Sequence, residues 1–269
     1  MLRNMPNLNR KVALITGGSS GIGRATALLL AKNGVRVAIA ARGAERGQAA
    51  VREIEAAGGT AIFVPADMAR PDDIRRLITR TVDTFGRLDY AFNNAATEAG
   101  ILQYTHELSE TDFDLSIAVN LKGVWLCMKQ EIEQMLKQEP KGGSIVNTSS
   151  VNGLGGARQG SVYSATKAGI LGLTKSAALE YAEQGIRINA LVAGGFKTPM
   201  LEGLMDRVSG GQPEARAAIE EKYKSLVALG RIGEPREAAE AAMWLLSDAA
   251  SYVTGFSMIV DGGMTAGVR

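Results

Sequence analysis

The sequence predicts a doubly wound α/β fold, a parallel sheet with helices on both faces. Three observations carry that expectation: seven short β-rich runs, helical stretches alternating with them, and a glycine-rich turn immediately after the first run. The runs are mostly apolar along their length, as strands are when both faces of their sheet are covered. No segment rich in Pro, Ser or charge divides the chain, and no repeat or low-complexity stretch appears. Residues 11–269 therefore read as one domain, preceded by a short leader at 1–10.

Taken in order, the first strand is expected at 11–16 (KVALIT), followed by a helix over 22–33. The second and third strands follow at 35–40 (VRVAIA) and 61–64 (AIFV). A helix over 72–85 begins behind Pro71, a residue suited to a first helical position. The fourth strand at 88–92 (LDYAF) leads into a long helix over 109–137, and the fifth strand at 143–149 (GSIVNTS) into a helix over 161–183. The sixth strand is placed at 186–191 (IRINAL), a helix at 235–247, and the last strand at 257–260 (SMIV). Gly34, Gly86, Gly142 and Gly185 fall near helix ends, where left-handed caps are wanted. Strict alternation fails only at 198–230, a mostly helical insertion between the last two strands. An insertion there lies above the C-terminal strand ends, where such folds bind ligands, so it is expected to cover a substrate.

Composition narrows the classes. The chain has 269 residues, 46% of them hydrophobic, and a net charge of +2, which describes a globular protein with a sizeable core. No polybasic block points to nucleic acid and no acidic tail is present. The lone cysteine, Cys127, has no internal disulfide partner, so a reducing, cytoplasmic setting is expected. The longest apolar runs, such as 25–31, are far shorter than a membrane span, and the N-terminus lacks the apolar core of a secretory signal.

Two groups of residues carry chemistry. The turn Gly17-Gly18-Ser19-Ser20-Gly21-Ile22-Gly23 lies between a strand and a helix, where glycines let the backbone approach a pyrophosphate and the helix N-terminus offers amide N–H groups. Its context predicts a dinucleotide. At the end of the second strand an acidic residue would bind a ribose 2′-hydroxyl and select NAD, but the chain reads Ala40-Ala41-Arg42-Gly43. With no carboxylate there and Arg42 able to meet a 2′-phosphate, NADP(H) is favoured. NAD(H) stays open, because Arg42 can also be a solvated loop charge and Ser19 and Ser20 stand where a basic residue would reinforce the preference. The second group is Tyr163 and Lys167, four residues apart on one helical face, with Ser150 upstream at the end of an apolar run. A free phenol titrates near about 10, and a neighbouring ammonium is expected to lower that value so the tyrosine can exchange a proton.

With the nucleotide turn, Asn93-Asn94-Ala95-Ala96, Asn120, Ser150 and the Tyr163/Lys167 pair assembled, the sequence resembles the short-chain dehydrogenase/reductase family in its compact single-domain form, from Lys11 to Gly263. The resemblance implies a Rossmann-like sheet in the order 3-2-1-4-5-6-7 and hydride transfer between a nicotinamide cofactor and a ketone, aldehyde or alcohol. It implies Tyr163 as acid/base, Lys167 tuning it and bonding the nicotinamide ribose, Ser150 holding the substrate oxygen, and Asn120 anchoring a water relay to Lys167, often at a local kink in its helix. Asp67 and the adjacent Met68 would contact the adenine, Asn94 and Ala95 the adenosine ribose, and Thr198 the carboxamide. No metal is implied. Two positions depart from the family pattern. Ala96 stands where glycine is usual and is expected to crowd the turn if positive φ is needed. Ala193-Gly194-Gly195 replaces a usual Pro-Gly pair, and a looser loop is expected without the proline.

The substrate candidates are Ser150, Val151, Asn152 and Leu154, then Gln159 and Tyr163, and beyond the sixth strand Gly195, Phe196, Met200, Leu201 and Leu204; Thr97, Glu98 and Arg158 stand near. They describe a mostly apolar wall suited to a neutral small molecule, although the Met200–Met205 run could equally be lid packing. His106, the only histidine, reads as a solvated residue. The helices over 109–137 and 161–183 are apolar beyond one face, at Trp125, Leu126, Met128, Leu171 and Leu173, and the resemblance suggests a homotetramer through them, the alternative being that these residues lie deep in one subunit's core. Three alternatives remain: an NAD-dependent alcohol, sugar or steroid dehydrogenase, a ketoacyl reductase docking a carrier protein on Arg158, Lys197 and Arg207, and a non-catalytic nucleotide-binding regulator. The regulator has no need for Asn120, Ser150, Tyr163 and Lys167 together.

Overall fold

Seven parallel strands form one sheet in the order β3-β2-β1-β4-β5-β6-β7 in the computed structural model, which describes Leu8 and residues 10–267. The rest of the expected leader, 1–7 and 9, lies outside the described residues, and Leu8 is buried in the core. The strands are β1 (Val12–Thr16), β2 (Arg36–Ala41), β3 (Thr60–Pro65), β4 (Tyr90–Asn93), β5 (Gly143–Ser150), β6 (Ile186–Ala193) and β7 (Ser257–Val260). Every residue of β1 and β4 is buried, which is why their sequences run apolar without alternation.

Nine α-helices are described: α1 (Gly21–Lys32), α2 (Ala44–Ala56), α3 (Pro71–Phe85), α4 (Glu110–Ile117), α5 (Val124–Lys137), α6 (Ser161–Tyr181), α7 (Pro199–Ser209), α8 (Pro213–Ser225) and α9 (Pro235–Leu246). Neighbouring strand residues feed opposite faces, as the pleat requires. Ile15, Ile39 and Phe92 join Ala27 and Leu30 of α1 and Met243 of α9 in one core cluster. Leu14, Ala38 and Ala91 join Leu77 of α3, Ile132 of α5 and Ala177 of α6 in the other. The stripe Gly23, Thr26, Ala27, Leu30 and Ala31 turns α1 onto its layer at helical spacing. Gly34, Gly86, Gly142 and Gly185 all adopt the positive φ expected of them.

Three expectations are corrected. The helix expected over 109–137 is two helices separated by a π-helical turn, Ala118–Gly123, with Asn120 wholly buried in it. Hydrophobic periodicity cannot register one inserted residue per turn, so the break is invisible in the pattern. Ala96 is not among the residues with positive φ, so its Cβ causes no crowding of the kind anticipated. Nor is the 193–197 loop slack. Ala193 is the last residue of β6, paired with Val260, and Gly194 N–H donates to the Val260 carbonyl at 2.9 Å. Gly233 N–H donates to Gly195 at 3.0 Å and Lys197 N–H to Gly233 at 2.8 Å, so backbone bonds replace the stiffness a proline would give.

The π turn ends where it must pass a neighbouring backbone: a Cβ on Gly123 would lie 2.6 Å from the Met68 carbonyl oxygen. Alanine should add up to about 1 kcal/mol of helix propensity, against a clash costing about 1–3 kcal/mol. Gly123→Ala is therefore expected to lower the urea midpoint of unfolding, and an unchanged or raised midpoint would show that the contact gives way freely.

Candidate active site

Strand order reverses between β1 and β4, and their C-terminal ends open into a cleft of about 510 Å³. Gly17 and Gly21 hold positive φ, 66° and 52°. A Cβ on Gly23 would lie 2.4 Å from the Gly17 carbonyl oxygen and 2.7 Å from Asn94 Nδ2, so only glycine lets α1 start this close to the β4 end. Thr16 Oγ1 accepts from Asn94 N at 3.0 Å and Ala95 N at 3.1 Å, tying the two strand ends together. Gly17, Ser19, Ser20, Gly21 and Ile22 line the cleft, while Gly23 lies behind them as the contact that closes the turn. This cradle of glycines at a helix N-terminus fits a pyrophosphate.

Further along, Ala66, Asp67 and Met68 form one wall and Asn94 and Ala95 another. Asp67 does not cap α3; its Oδ1 accepts from Ala69 N at 2.9 Å, and its own N–H donates to Asp73 Oδ2 at 3.0 Å. That backbone bond, helped by the Arg76 guanidinium and opposed by burial, holds the Asp73 carboxyl below its ordinary value. Arg42 lines the far end together with Arg46, and neither forms an ion pair among the described residues. Arg46 escaped the sequence reading, although its spacing of four from Arg42 was a legible signal.

The reacting end is built by β5 and α6. Lys167 is 2% exposed, and its Nζ donates to the Thr148 carbonyl at 2.8 Å, 5.6 Å from the centre of the Tyr163 ring. Ser149 Oγ donates to the Lys167 carbonyl at 2.7 Å. A Cβ on Gly153 would meet the Lys167 carbonyl carbon at 2.7 Å, so the short turn after β5 presses directly on α6. Ser150 Oγ accepts from Asn152 N at 3.2 Å and stands beside the phenol. Asn120 sits behind the cleft: Oδ1 accepts from Thr97 N at 2.8 Å, and Nδ2 donates to Thr97 O at 3.0 Å and Ser116 Oγ at 3.3 Å. Its side chain is thus spent on fixing the loop that carries Thr97.

The electrostatics differ from the sequence expectation. Burial pushes the Tyr163 phenol up to about 12; Ser150 pulls it back, and Glu98 and Tyr223 push it further. Burial also presses Lys167 down to about 8. The anticipated lowering of the phenol by the ammonium is absent because both groups are desolvated and the ammonium bonds a carbonyl. Helical spacing foretold their proximity but not the burial of the ammonium, while the half-buried phenol faces the cleft.

At the substrate end Asn152, Gly195, Phe196, Met200 and Leu204 line the cleft, as do Thr97, Glu98 and Leu201. Leu154 is exposed and Gln159, with φ of 58°, is taken up by a loop; neither lines the cleft. Thr198 lines it too, but its hydroxyl caps α7 by accepting from Leu201 N at 3.3 Å, and a Cβ on Gly21 would meet its methyl at 3.0 Å. Glu98 is ion-paired with Arg207 of α7 across the mouth. Tyr223 of α8 was missed: it lines the cleft so closely that a Cβ on Gly195 would fall 2.3 Å from its ring. Position within an insertion does not say where its helices dock, so no sequence signal marked it. His106 is exposed and stacks on Tyr104 away from the cleft lining.

Comparison with known proteins places the chain among oxidoreductases. Residues 17–265 match a family model described as enoyl-(acyl carrier protein) reductase. The chain is 44% identical over 262 residues to a 2,5-dichloro-2,5-cyclohexadiene-1,4-diol dehydrogenase of Sphingobium indicum, covering 97% of this chain and 100% of that one. It is 44% identical over 259 residues to a cyclohexanol dehydrogenase of Acinetobacter sp., covering 96% of each. Its fold superposes on the crystal structure of levodione reductase with a TM-score of 0.91 at 35% identity, over 97% of this chain and 99% of that chain.

Gly23→Ala offers a test of the cradle, since its Cβ cannot fit while α1 and Asn94 keep their places. Dinucleotide affinity, read by fluorescence titration with NADPH and NADH, is expected to fall between about fivefold and about 150-fold, the effect of a clash of about 1–3 kcal/mol. Unchanged binding of both would place the nucleotide elsewhere.

Proposed function

The chain belongs to the short-chain dehydrogenase/reductase family and acts as an oxidoreductase on CH–OH groups; on that premise we propose that it uses NADPH to reduce a neutral ketone borne on a six-membered carbon ring. The observation that carries the reading is the convergence of Ser150, Tyr163 and buried Lys167 on the same cleft as the glycine cradle. Residues 11–269 act as one catalytic unit, with 198–230 as its substrate cover.

NADPH, when bound, supplies the hydride that reaches the carbonyl carbon. The negative charge developing on the carbonyl oxygen is met by the Ser150 hydroxyl and by the proton of Tyr163. A phenol held near about 12 carries that proton at neutral pH, so the site is poised for reduction. Lys167 beneath the ring stabilises the phenolate left behind and passes a proton back to it. With the Asn120 side chain spent on Thr97 and Ser116, a water relay anchored there uses its backbone carbonyl.

Two relatives whose names specify a cyclohexadienediol and a cyclohexanol support the ring, and the wall of Val151, Phe196, Met200 and Leu204 supports its neutrality. Arg42 and Arg46, without ion pairs among the described residues and with no carboxylate at the β2 end, support the 2′-phosphate of NADPH. A carrier-protein substrate is disfavoured because its expected basic residues are engaged: Lys197 with Glu234 at 2.5 Å, Arg207 with Glu98, and Arg158 on Tyr104. No described helix is long and apolar enough to cross a membrane. Exposed Phe113, Trp125 and Leu179 on α4, α5 and α6 support assembly of the cytoplasmic enzyme as a homotetramer through those helices.

Two outcomes test this reading. Tyr163→Phe is expected to cut reduction of cyclohexanone-type ketones about a hundredfold or more while NADPH affinity holds. Full turnover in that variant would contradict the mechanism. Removing one charge-assisted phosphate contact costs about 1.5–3 kcal/mol, so Arg42→Ala, Arg46→Ala and their combination should lower NADPH preference over NADH about tenfold or more. Undiminished preference in the double variant would remove the cofactor argument.

A further inference from the structure

Directly behind the site, α5 places Glu131 against β4 and β5 at 0% exposure. Glu131 Oε2 accepts from Asn93 Nδ2 at 2.9 Å. The other proton of that amide goes to Asn147 Oδ1 at 3.0 Å, and Asn147 Nδ2 donates to Thr174 Oγ1 of α6 at 3.0 Å. Asn93 and Asn147 are register partners in the sheet. The chain of bonds therefore crosses α5, β4, β5 and α6. Two acceptors within it have no partner among the described residues: Glu131 Oε1 and Asn93 Oδ1. They belong to side chains already joined through their other ends, and a carboxylic acid facing a primary amide can close both bonds at once. An ionised carboxylate leaves both orphaned, and a buried acceptor without a donor destabilises the fold.

We propose that Glu131 is a positioning residue that works as a neutral acid: its Oε1–H donates to Asn93 Oδ1, and the resulting two-point acid–amide pair fixes the β4 and β5 ends beneath the reacting groups. Asn93 is followed directly by Asn94 and Ala95 of the cleft, and Asn147 lies three residues before Ser150. Thr174 extends the chain to α6, which carries Tyr163 and Lys167. Burial supports the neutral form by pushing Glu131 up to about 8 against the opposing pull of Asn93. The groups facing it from β4, β5 and α6 are the neutral Asn93, Asn147 and Thr174, and no cation contributes to its shift. Its titratable neighbour on α5 is Cys127, itself pushed well above its ordinary value by burial and so neutral beside it. The effect on turnover rests on the proposed roles of Ser150 and Tyr163; the protonation state does not.

Carbon-13 NMR of protein labelled at glutamate carboxyls, with Glu131→Gln to assign the signal, reads the proton directly. A neutral-acid signal for Glu131 at pH 7 is expected, and a carboxylate signal would overturn the proposal. Unfolding measured against pH gives an independent reading. A folded carboxyl holding its proton up to about 8 against 4.5 unfolded makes the wild type lose stability as pH rises through that window, whereas Glu131→Gln lacks this slope. Parallel pH curves would also overturn it. The glutamine amide can make the same two bonds, so it should rescue kcat to within about twofold, while Glu131→Leu should lower kcat about tenfold or more with less effect on the KM for NADPH. Equal losses in both variants, or none in the leucine variant, would refute the positioning role. If the leucine variant does not fold, the signal, the slope and the glutamine variant still decide; if no ketone is reduced, the first two decide alone.

Discussion

The exclusion of water from Lys167 is the constraint on which the reacting end depends. An ammonium that is 2% exposed must find a partner, and the Thr148 carbonyl at 2.8 Å provides it. That bond holds the side chain against the end of β5 and under the Tyr163 ring. Ser149 on Lys167's own carbonyl, and the contact that only Gly153 permits, lock β5 to α6 in the same register. Ser150 is then delivered beside the phenol by strand geometry. The same desolvation governs the chemistry, since it raises the phenol and lowers the ammonium together.

The sheet solves a second problem at its other strand ends. Thr16 joins β1 to the loop after β4, and glycines at 17 and 23 let α1 approach that loop. Asn120, freed from regular helix by the π turn, holds Thr97 and with it the next part of the same loop. Nucleotide cradle and reacting groups are thus anchored to one rigid element. The 198–230 segment closes over both, with Thr198 against Gly21 at one end and Tyr223 against Gly195 at the other. Sites held by strand ends and short turns keep their geometry better than sites carried on long loops.

Much of this was legible in the sequence, for definite physical reasons. Buried parallel strands and amphipathic helices leave patterns along the chain, so β1 to β7 and the cap glycines could be placed from the order of residues alone. Gly17, Gly21 and Gly23 were legible because backbone approach demands them, and Arg42 because of what was missing beside it. Features arising from packing between distant segments were not. The π turn at 118–123, the docking of Tyr223 and the Glu131–Asn93 contact depend on which surfaces meet, and no local pattern encodes that. The direction of the Tyr163 shift was misjudged for the same reason: spacing shows a neighbour, whereas burial is a property of the whole fold.

Desolvation holds the Tyr163 phenol protonated in the free protein, and the ionisation of that one phenol tests this most directly. Ultraviolet difference absorbance between wild type and Tyr163→Phe, titrated without cofactor, isolates its phenolate from the other tyrosines. The phenolate is expected to emerge only towards about 12, above the ordinary value of 10.0. A phenolate already formed near neutral pH in the free protein would contradict the account.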